Sequence, residues 1–523
     1  LTSAGSRRWQ ADSLRGTAVL GLSLAIALIP AACRSAKSAA DIGATESTVA
    51  STSPPSQPID SALAVETFDA AWTIVRDTHF DRNYNGVDWN SVRDELRPRA
   101  ESATTVGELR GTIDEMLGRL GQSHFALLPR EMVDEFKDNA KENESSSTGG
   151  DSNDSQPHDP AKSADRSDET DASRRPGDVG FDFRIIDGRV AVTSVSNGGP
   201  AEAAGLARGT EITEIEGVAV DKLLALIPGG LEPRMHNLHA WGMINSHVSG
   251  DEGRDLTLTV REINGKDRIV TFARAPVSGE LVQFGNLPTF VSELKSWREP
   301  LSPYGGSGEA GVIWFNIWMG PLAPLFDAAI DDLRGTEGMI LDLRGNPGGV
   351  GGMSMGFAGH FVDEKQTLGV MSTREANMNF IAMPRIVSAA GQRVDPYSKP
   401  LAILIDGLSG STTEIFAGGM QSMGRARIFG EASMGAALPA LMDELPNGDV
   451  LLHAFADFVT GTGVRLEGRG VIPDEPVGLT LEDLRAHRDP VMETALRWLA
   501  AQATPGKDHD SDAESRTSAA PTN

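Results

Sequence analysis

Apolar residues recur along this chain in two spacings that alternate with one another. Residues 339–343 and 402–405 are short, unbroken apolar runs, the pattern of strands buried on both faces, and 311–317 reads the same way. Between and after them, 325–333 and the stretch from Thr413, with Ile415, Phe416, Gly419 and Met420, repeat at helical spacing. Strands alternating with helices predict an α/β core. Earlier, 63–78 sets Val65, Phe68, Ala71, Trp72 and Val75 on one helical stripe, and 89–96 and 106–120 carry similar faces, which predicts a small helical domain. Further strands are expected at 189–195 and 450–458, and a helix over 481–499 closes the pattern.

The stretches without either spacing divide the 523 residues into units. Residues 137–175 are poor in apolar side chains and dense in Ser, Asp, Glu and Asn, too little to offset the entropy of ordering, so a disordered insertion is expected. The divisions are a leader at 1–33, a Ser/Thr/Ala/Pro-rich linker at 34–61, the helical domain at 62–136, the acidic insertion at 137–176, a β-rich domain at 177–277, the core at 282–502 and a polar tail at 503–523. An apolar content of 40 % allows a real core; the formal charge of −26 argues against a nucleic-acid partner and, sitting largely in the polar tracts, says little else about partners. Ser6-Arg7-Arg8 precedes an apolar segment at 17–29 that is short for a bilayer span, the form of an export signal. It ends at Pro30-Ala31-Ala32-Cys33, similar to a bacterial lipoprotein box apart from Pro30, where that box prefers Leu. Cys33, the sole cysteine, is thus a candidate lipidation site, giving peripheral attachment in the cell envelope, and disulfides within the chain are excluded.

The candidate chemistry gathers where the run 402–405 breaks at Asp406-Gly407 and a helix begins after Gly410-Ser411-Thr412-Thr413-Glu414. N–H groups at a helix start lack intrahelical partners and can face an anion, so a serine there suits a nucleophile; it equally suits a helix cap. A second glycine-rich turn, Asp342-Leu343-Arg344-Gly345-Asn346-Pro347-Gly348-Gly349, follows the other buried run. Together with Gly470-Val471-Ile472-Pro473-Asp474, the pair resembles the C-terminal processing and tricorn-type serine peptidases. The order Gly199-Pro200-Ala201, Ala204-Gly205-Leu206 within 177–277 is similar to bacterial PDZ domains, which accept extended peptides by strand addition. The resemblance implies a crotonase-like α/β core with an N-terminal helical domain and an inserted PDZ-like β-rich domain. It implies that Ser411, three before the glutamate, is the nucleophile, and that the N–H groups of Gly348 and Thr412 form the oxyanion hole.

Two branches of that family activate the serine differently. The processing branch uses a lysine in a segment that here reads Ser433-Met434-Gly435-Ala436-Ala437, with Ala436 in its place, and no lysine lies between Lys399 and Lys507. The tricorn-type branch uses a histidine, and Leu120-Gly121-Gln122-Ser123-His124 matches it. By that resemblance His124 is the general base, helped by Ser123 and by Glu467, four before Val471; which of the two touches His124 is open. A base of ordinary pKa predicts loss of activity as pH drops through roughly 6 to 7. His360 and His453 are taken as structural, His236 and His239 lack a ligand pattern, and Gly348-Gly349-Val350-Gly351-Gly352 lacks the Lys-Ser/Thr of a phosphate loop, so no cofactor or metal is expected. The expectation is an exported serine endopeptidase acting on protein or peptide substrates without a cofactor. The rival is a peptide-binding protein that kept the fold without turnover; oligomeric state is not read.

Overall fold

Strand Leu401–Ile405 is buried at every position because it lies in the middle of a six-stranded sheet. The order is Leu294–Pro300, Glu309–Phe315, Gly338–Asp342, Leu401–Ile405, Arg427–Gly430 and Glu475–Pro476, antiparallel at the first pair and parallel thereafter. Leu401, Ile403 and Ile405 pack with Phe326 and Ile330 of helix Leu322–Leu333 and Phe416 and Met420 of helix Thr412–Ser422 on one face. Ala402 and Leu404 meet Ala495, Leu496 and Leu499 of helix Pro490–Ala503 on the other. Period-two side chains with both faces covered are what make such a strand read as continuously apolar. The computed structural model describes residues 57–131, 176–227, 231–277, 280–282 and 290–503; the leader with Cys33, the 137–175 tract and the tail from 504 lie outside them.

Helices Ser61–Thr78, Trp89–Glu101 and Val106–Gly118 form the N-terminal domain, capped by Asp60, Asp88 and Thr105. This domain is not purely helical: strand Ala126–Leu128 adds antiparallel to Val450–Ala454, which also pairs with Ala440–Glu444. Leu438, Leu445, Leu451 and Ala454 of that hairpin complete the apolar cluster of the three helices. The inserted domain is an antiparallel sheet, Phe181–Ile186, Arg189–Val195, Glu211–Ile215, Asp255–Arg261 and Asp267–Ala273, packed by helix Pro233–Val248.

Two expected elements divide. The 450–458 strand is Val450–Ala454 and Asp457–Thr460, in different sheets, and the 481–499 helix is Leu481–Arg485 and Pro490–Ala503. The second break falls at His487, with φ 55°, and ahead of Pro490, which disfavours helical backbone at the residue before it. Strand Leu294–Pro300 forms the antiparallel edge of the core sheet, and neither it nor hairpin Gln366–Ser372 with Asn377–Ala382 is announced by the apolar spacing.

Candidate active site

Four hydroxyls crowd the turn between strand Leu401–Ile405 and helix Thr412–Ser422, and three are committed. Ser409 Oγ donates to the Leu343 carbonyl at 2.8 Å, Thr412 Oγ1 to the Gly349 carbonyl at 2.8 Å, and Thr413 Oγ1 to the Asn346 carbonyl at 3.0 Å while accepting from Trp318 Nε1. Ser411 Oγ donates to no acceptor among the described residues. Ser411 also has φ 51° and ψ −118°, a backbone state costing about 1–3 kcal/mol for a residue with a Cβ. That strain is held by three neighbours: the Ser411 N–H donates to the Ala436 carbonyl at 2.8 Å and to Glu414 Oε2 at 3.0 Å, and Gly410 N–H to the Asn346 carbonyl.

Glu414 is the buried anchor of the turn. It accepts from Ser433 Oγ (2.6 Å), Gly435 N–H (2.7 Å) and Ala436 N–H (2.9 Å) besides Ser411. Desolvation pushes its carboxyl up to about 7 against those donors. Its role was missed in the sequence, although Ser-x-x-Glu at a helix start is a capping-box spacing that could have signalled it.

Ser123, His124 and Glu467 meet in one hydrogen-bonded chain. Ser123 Oγ lies 2.8 Å from His124 Nδ1 and donates to Glu467 Oε2 at 2.8 Å; Glu467 further accepts the N–H groups of Ser123 at 2.8 Å and Ala437 at 3.0 Å. Ser123 thus touches the histidine and Glu467 holds Ser123. Since the Ser123 proton goes to the carboxylate, Ser123 Oγ can only accept from His124, which puts the ring proton on Nδ1 and a lone pair on Nε2. His124 is buried, with φ 61°, and desolvation lowers its pKa to about 3. Burial also raises the Glu467 carboxyl, opposed by its three donors. The two halves of the site are joined at Ala436-Ala437: the carbonyl of the first receives Ser411, and the N–H of the second donates to Glu467.

Gly348 stands against the candidate nucleophile, where an added Cβ would lie 2.7 Å from Ser411 Cβ and 3.0 Å from Thr412 N, at φ 110°. Its N–H, however, donates to Asn346 Oδ1 at 3.0 Å, so the donor expected there is committed within its own turn. Trp318 N–H binds the Gly348 carbonyl and Val350 N–H the Trp318 carbonyl, in a parallel bridge that leaves Gly349 facing away from Trp318. The Gly349 carbonyl on that side takes Thr412 Oγ1, and the N–H groups of Gly349 and Thr412 have no acceptor among the described residues. His360 binds Asp327 at 2.9 Å, and His453 sits between Thr78 Oγ1 at 2.9 Å and Asp443 at 2.7 Å, both apart from this cluster. Cys33 lies outside the described residues.

Residues 310–477 match peptidase family S41, and residues 65–118 match the tricorn protease C1 domain. A probable CtpA-like serine protease of Staphylococcus aureus is 23 % identical over 298 residues, covering 57 % of this chain and 51 % of that protein. That of Staphylococcus saprophyticus is 22 % identical over 301 residues, covering 57 % and 52 %. The chain spans about half the length of these curated relatives. Mature CPAF, solved in complex with lactacystin, shares the fold at 14 % identity with a TM-score of 0.53, over 85 % of this chain and 99 % of that one. The photosystem II D1 C-terminal processing protease superposes with a TM-score of 0.49 at 20 % identity, over 84 % and 98 %.

Proposed function

Starting from a chain that belongs with the C-terminal processing and tricorn-type peptidases, we propose that it is a serine endopeptidase in which Ser411 is the nucleophile and His124 the general base. The observation that carries this reading is the contrast within one turn: three hydroxyls are bound, while Ser411 alone has its proton free on a strained backbone. A neutral imidazole with its lone pair on Nε2 takes the Ser411 proton as Oγ adds to the scissile carbonyl carbon. The same proton then passes to the leaving amine, and water hydrolyses the acyl-enzyme by the reverse roles. Ser123 and Glu467 position the ring. Thr412 N–H with Gly349 N–H, in place of Gly348, would receive the oxyanion.

The inserted domain acts in this reading as a PDZ-like peptide-binding unit within 177–277, the sheet and helices of 282–502 as a crotonase-like core, and 62–136 as a helical domain that brings His124. Export, with lipid attachment at Cys33 to the cell envelope, belongs to the same proposal and rests on the sequence of 1–33. Cys33→Ala should then move the protein from the membrane to the soluble fraction on fractionation; unchanged partition removes the anchor.

The test of the chemistry is acylation by a fluorophosphonate with mass-spectrometric location of the adduct. It should fall on Ser411. Ser411→Ala and His124→Ala should each abolish hydrolysis of an unfolded protein substrate, the double change costing little more than either, since residues acting as one unit are not additive. Full activity in His124→Ala would end the assignment of the base. Absence of both adduct and hydrolysis in the wild-type chain would leave a peptide-binding protein.

A further inference from the structure

Residues 122–125 carry Ser123 and His124 between helix Val106–Gly118 and strand Ala126–Leu128 and belong to neither. His124 stands there with φ 61°, a left-handed backbone that a residue with a Cβ keeps only where its surroundings enforce it. Glu467 holds Ser123 from one side. The residues before and after the Ser123-His124 pair both meet another side chain, His79. Its Nε2 lies 2.9 Å from Gln122 Oε1, and its ring stacks on Phe125 with centroids 5.4 Å and planes 12° apart. An amide oxygen only accepts, so the proton of the first contact belongs to His79 Nε2.

His79 is itself firmly placed. It is 0 % exposed and ends helix Ser61–Thr78, where its N–H donates to the Val75 carbonyl. Its Nδ1 faces the main chain of Asp81, 3.1 Å from the N–H and 2.9 Å from the carbonyl oxygen, and its own carbonyl accepts from Arg374 Nε. The loop that follows is braced as well: the Asp81 carboxylate accepts the N–H groups of Asn83 and Asn85 at 2.9 Å each, and Asn85 Nδ2 donates to the Leu120 carbonyl at 2.8 Å. The end of one helix and its loop thus grip residues 120, 122 and 125, on both sides of the candidate base. Neither His79 nor Gln122 bonds to Ser411 or to the His124 ring among the described residues, so what they do to that ring passes through the backbone of the segment.

We propose that His79 and Gln122 are positioning residues: their hydrogen bond, with the stack on Phe125, holds residues 122–125 so that the His124 ring keeps the orientation in which Ser123 receives it. The effect on rate rests on the peptidase reading; the effect on the ring does not. The experiment uses the full chain with His79→Phe and Gln122→Met together. Phe keeps the stack, and with both partners replaced no buried half of the hydrogen bond is left alone, so the melting temperature should fall by only a few degrees. Fluorophosphonate labelling of Ser411 should nonetheless slow about tenfold, because a displacement on the order of 1 Å spoils attack geometry. In hydrolysis of an unfolded protein the loss should fall on kcat rather than KM. Nitrogen NMR should show His124 passing from one Nδ1–H tautomer to a mixture of two. Gln122→Met alone should act in the same direction, whereas Gln122→Glu, which still presents an oxygen to His79, should recover most of the rate. Wild-type labelling in both Met variants, or slower labelling with the His124 signals unchanged, would overturn the proposal and leave the peptidase reading standing. A wild-type chain that neither labels nor hydrolyses, yet whose His124 tautomer is lost in those variants, would support the positioning and remove the peptidase reading instead.

Discussion

At the scale of single residues, burial takes His124 out of the ordinary range of histidine. With its pKa lowered to about 3 from a reference of 6.5, the ring is neutral at any pH where the protein would work. The sequence alone set the acid limb at pH 6 to 7, because no pattern of residue types reports how far a side chain is desolvated. The sign follows from the depressed value: the stabilisation gained by keeping the ring neutral is fully present above 6.5 and is lost as pH falls toward 3. Nitrogen NMR of histidine-labelled protein, assigned with His124→Asn, should show a neutral Nδ1–H tautomer unchanged from pH 8 to 5. A titration centred near 6.5 would mean that water reaches the imidazole. Ser411 is the candidate by motif registration, whereas the binding of Ser409 Oγ to the Leu343 carbonyl depends on two turns that are distant in sequence. The same holds for Gly348, whose lack of a side chain was legible while the capture of its N–H by Asn346 was not.

At the scale of elements, the segment near residue 120 is tied to a hairpin beyond residue 440. Helix Val106–Gly118 and strand Ala126–Leu128 flank the segment carrying Ser123 and His124, and both are fastened to the hairpin 440–454. The fastening is a buried charge pair: Asp449, with a side chain 0 % exposed, accepts Arg110 Nη2 at 2.6 Å and Nε at 3.0 Å, together with Arg130 N–H and Asn447 Nδ2. Arg110→Ala leaves that carboxylate without its cation and should cost about 3 kcal/mol in urea unfolding, with slower fluorophosphonate labelling at denaturant concentrations where the chain is still folded. Arg110→Met with Asp449→Leu should recover most of the stability; a single variant as stable as wild type would show that the pair does not fasten the domain. The helices were legible because each buries one stripe, and the two central strands because both faces are covered. Helix Pro233–Val248 escaped notice because Leu238, Ala240, Trp241, Ile244 and Val248 do not lie on one narrow stripe, so its periodicity is weak.

Over the whole molecule, the inserted domain grips the candidate site from both sides of the turn. Leu408, Met434 and Ala436 belong to the apolar cluster of that domain, and Arg184 reaches Asp406, five residues before Ser411. Arg234, in the first turn of helix Pro233–Val248, donates to the carbonyls of Ser433 at 2.8 Å, Arg469 at 2.8 Å and Gly468 at 3.0 Å. Those carbonyls flank the segments that hold Glu414 and supply Glu467, so one guanidinium ties the 433–437 and 467–471 loops to a domain some two hundred residues earlier. Nothing in local spacing announces such a tie; only the closed fold brings the three segments together. Arg234→Ala should slow labelling of Ser411 about tenfold or more, because a misplacement on the order of 1 Å in the supporting loops is enough to spoil attack geometry. The lost hydrogen bonds should lower the melting temperature by only a few degrees in a chain of this size. Arg234→Lys, which can reach one carbonyl but not fork across three, should recover part of the rate. Wild-type labelling in Arg234→Ala would show that the inserted domain merely rests against the core, and unfolding of both variants would show that Arg234 serves folding before it serves the site.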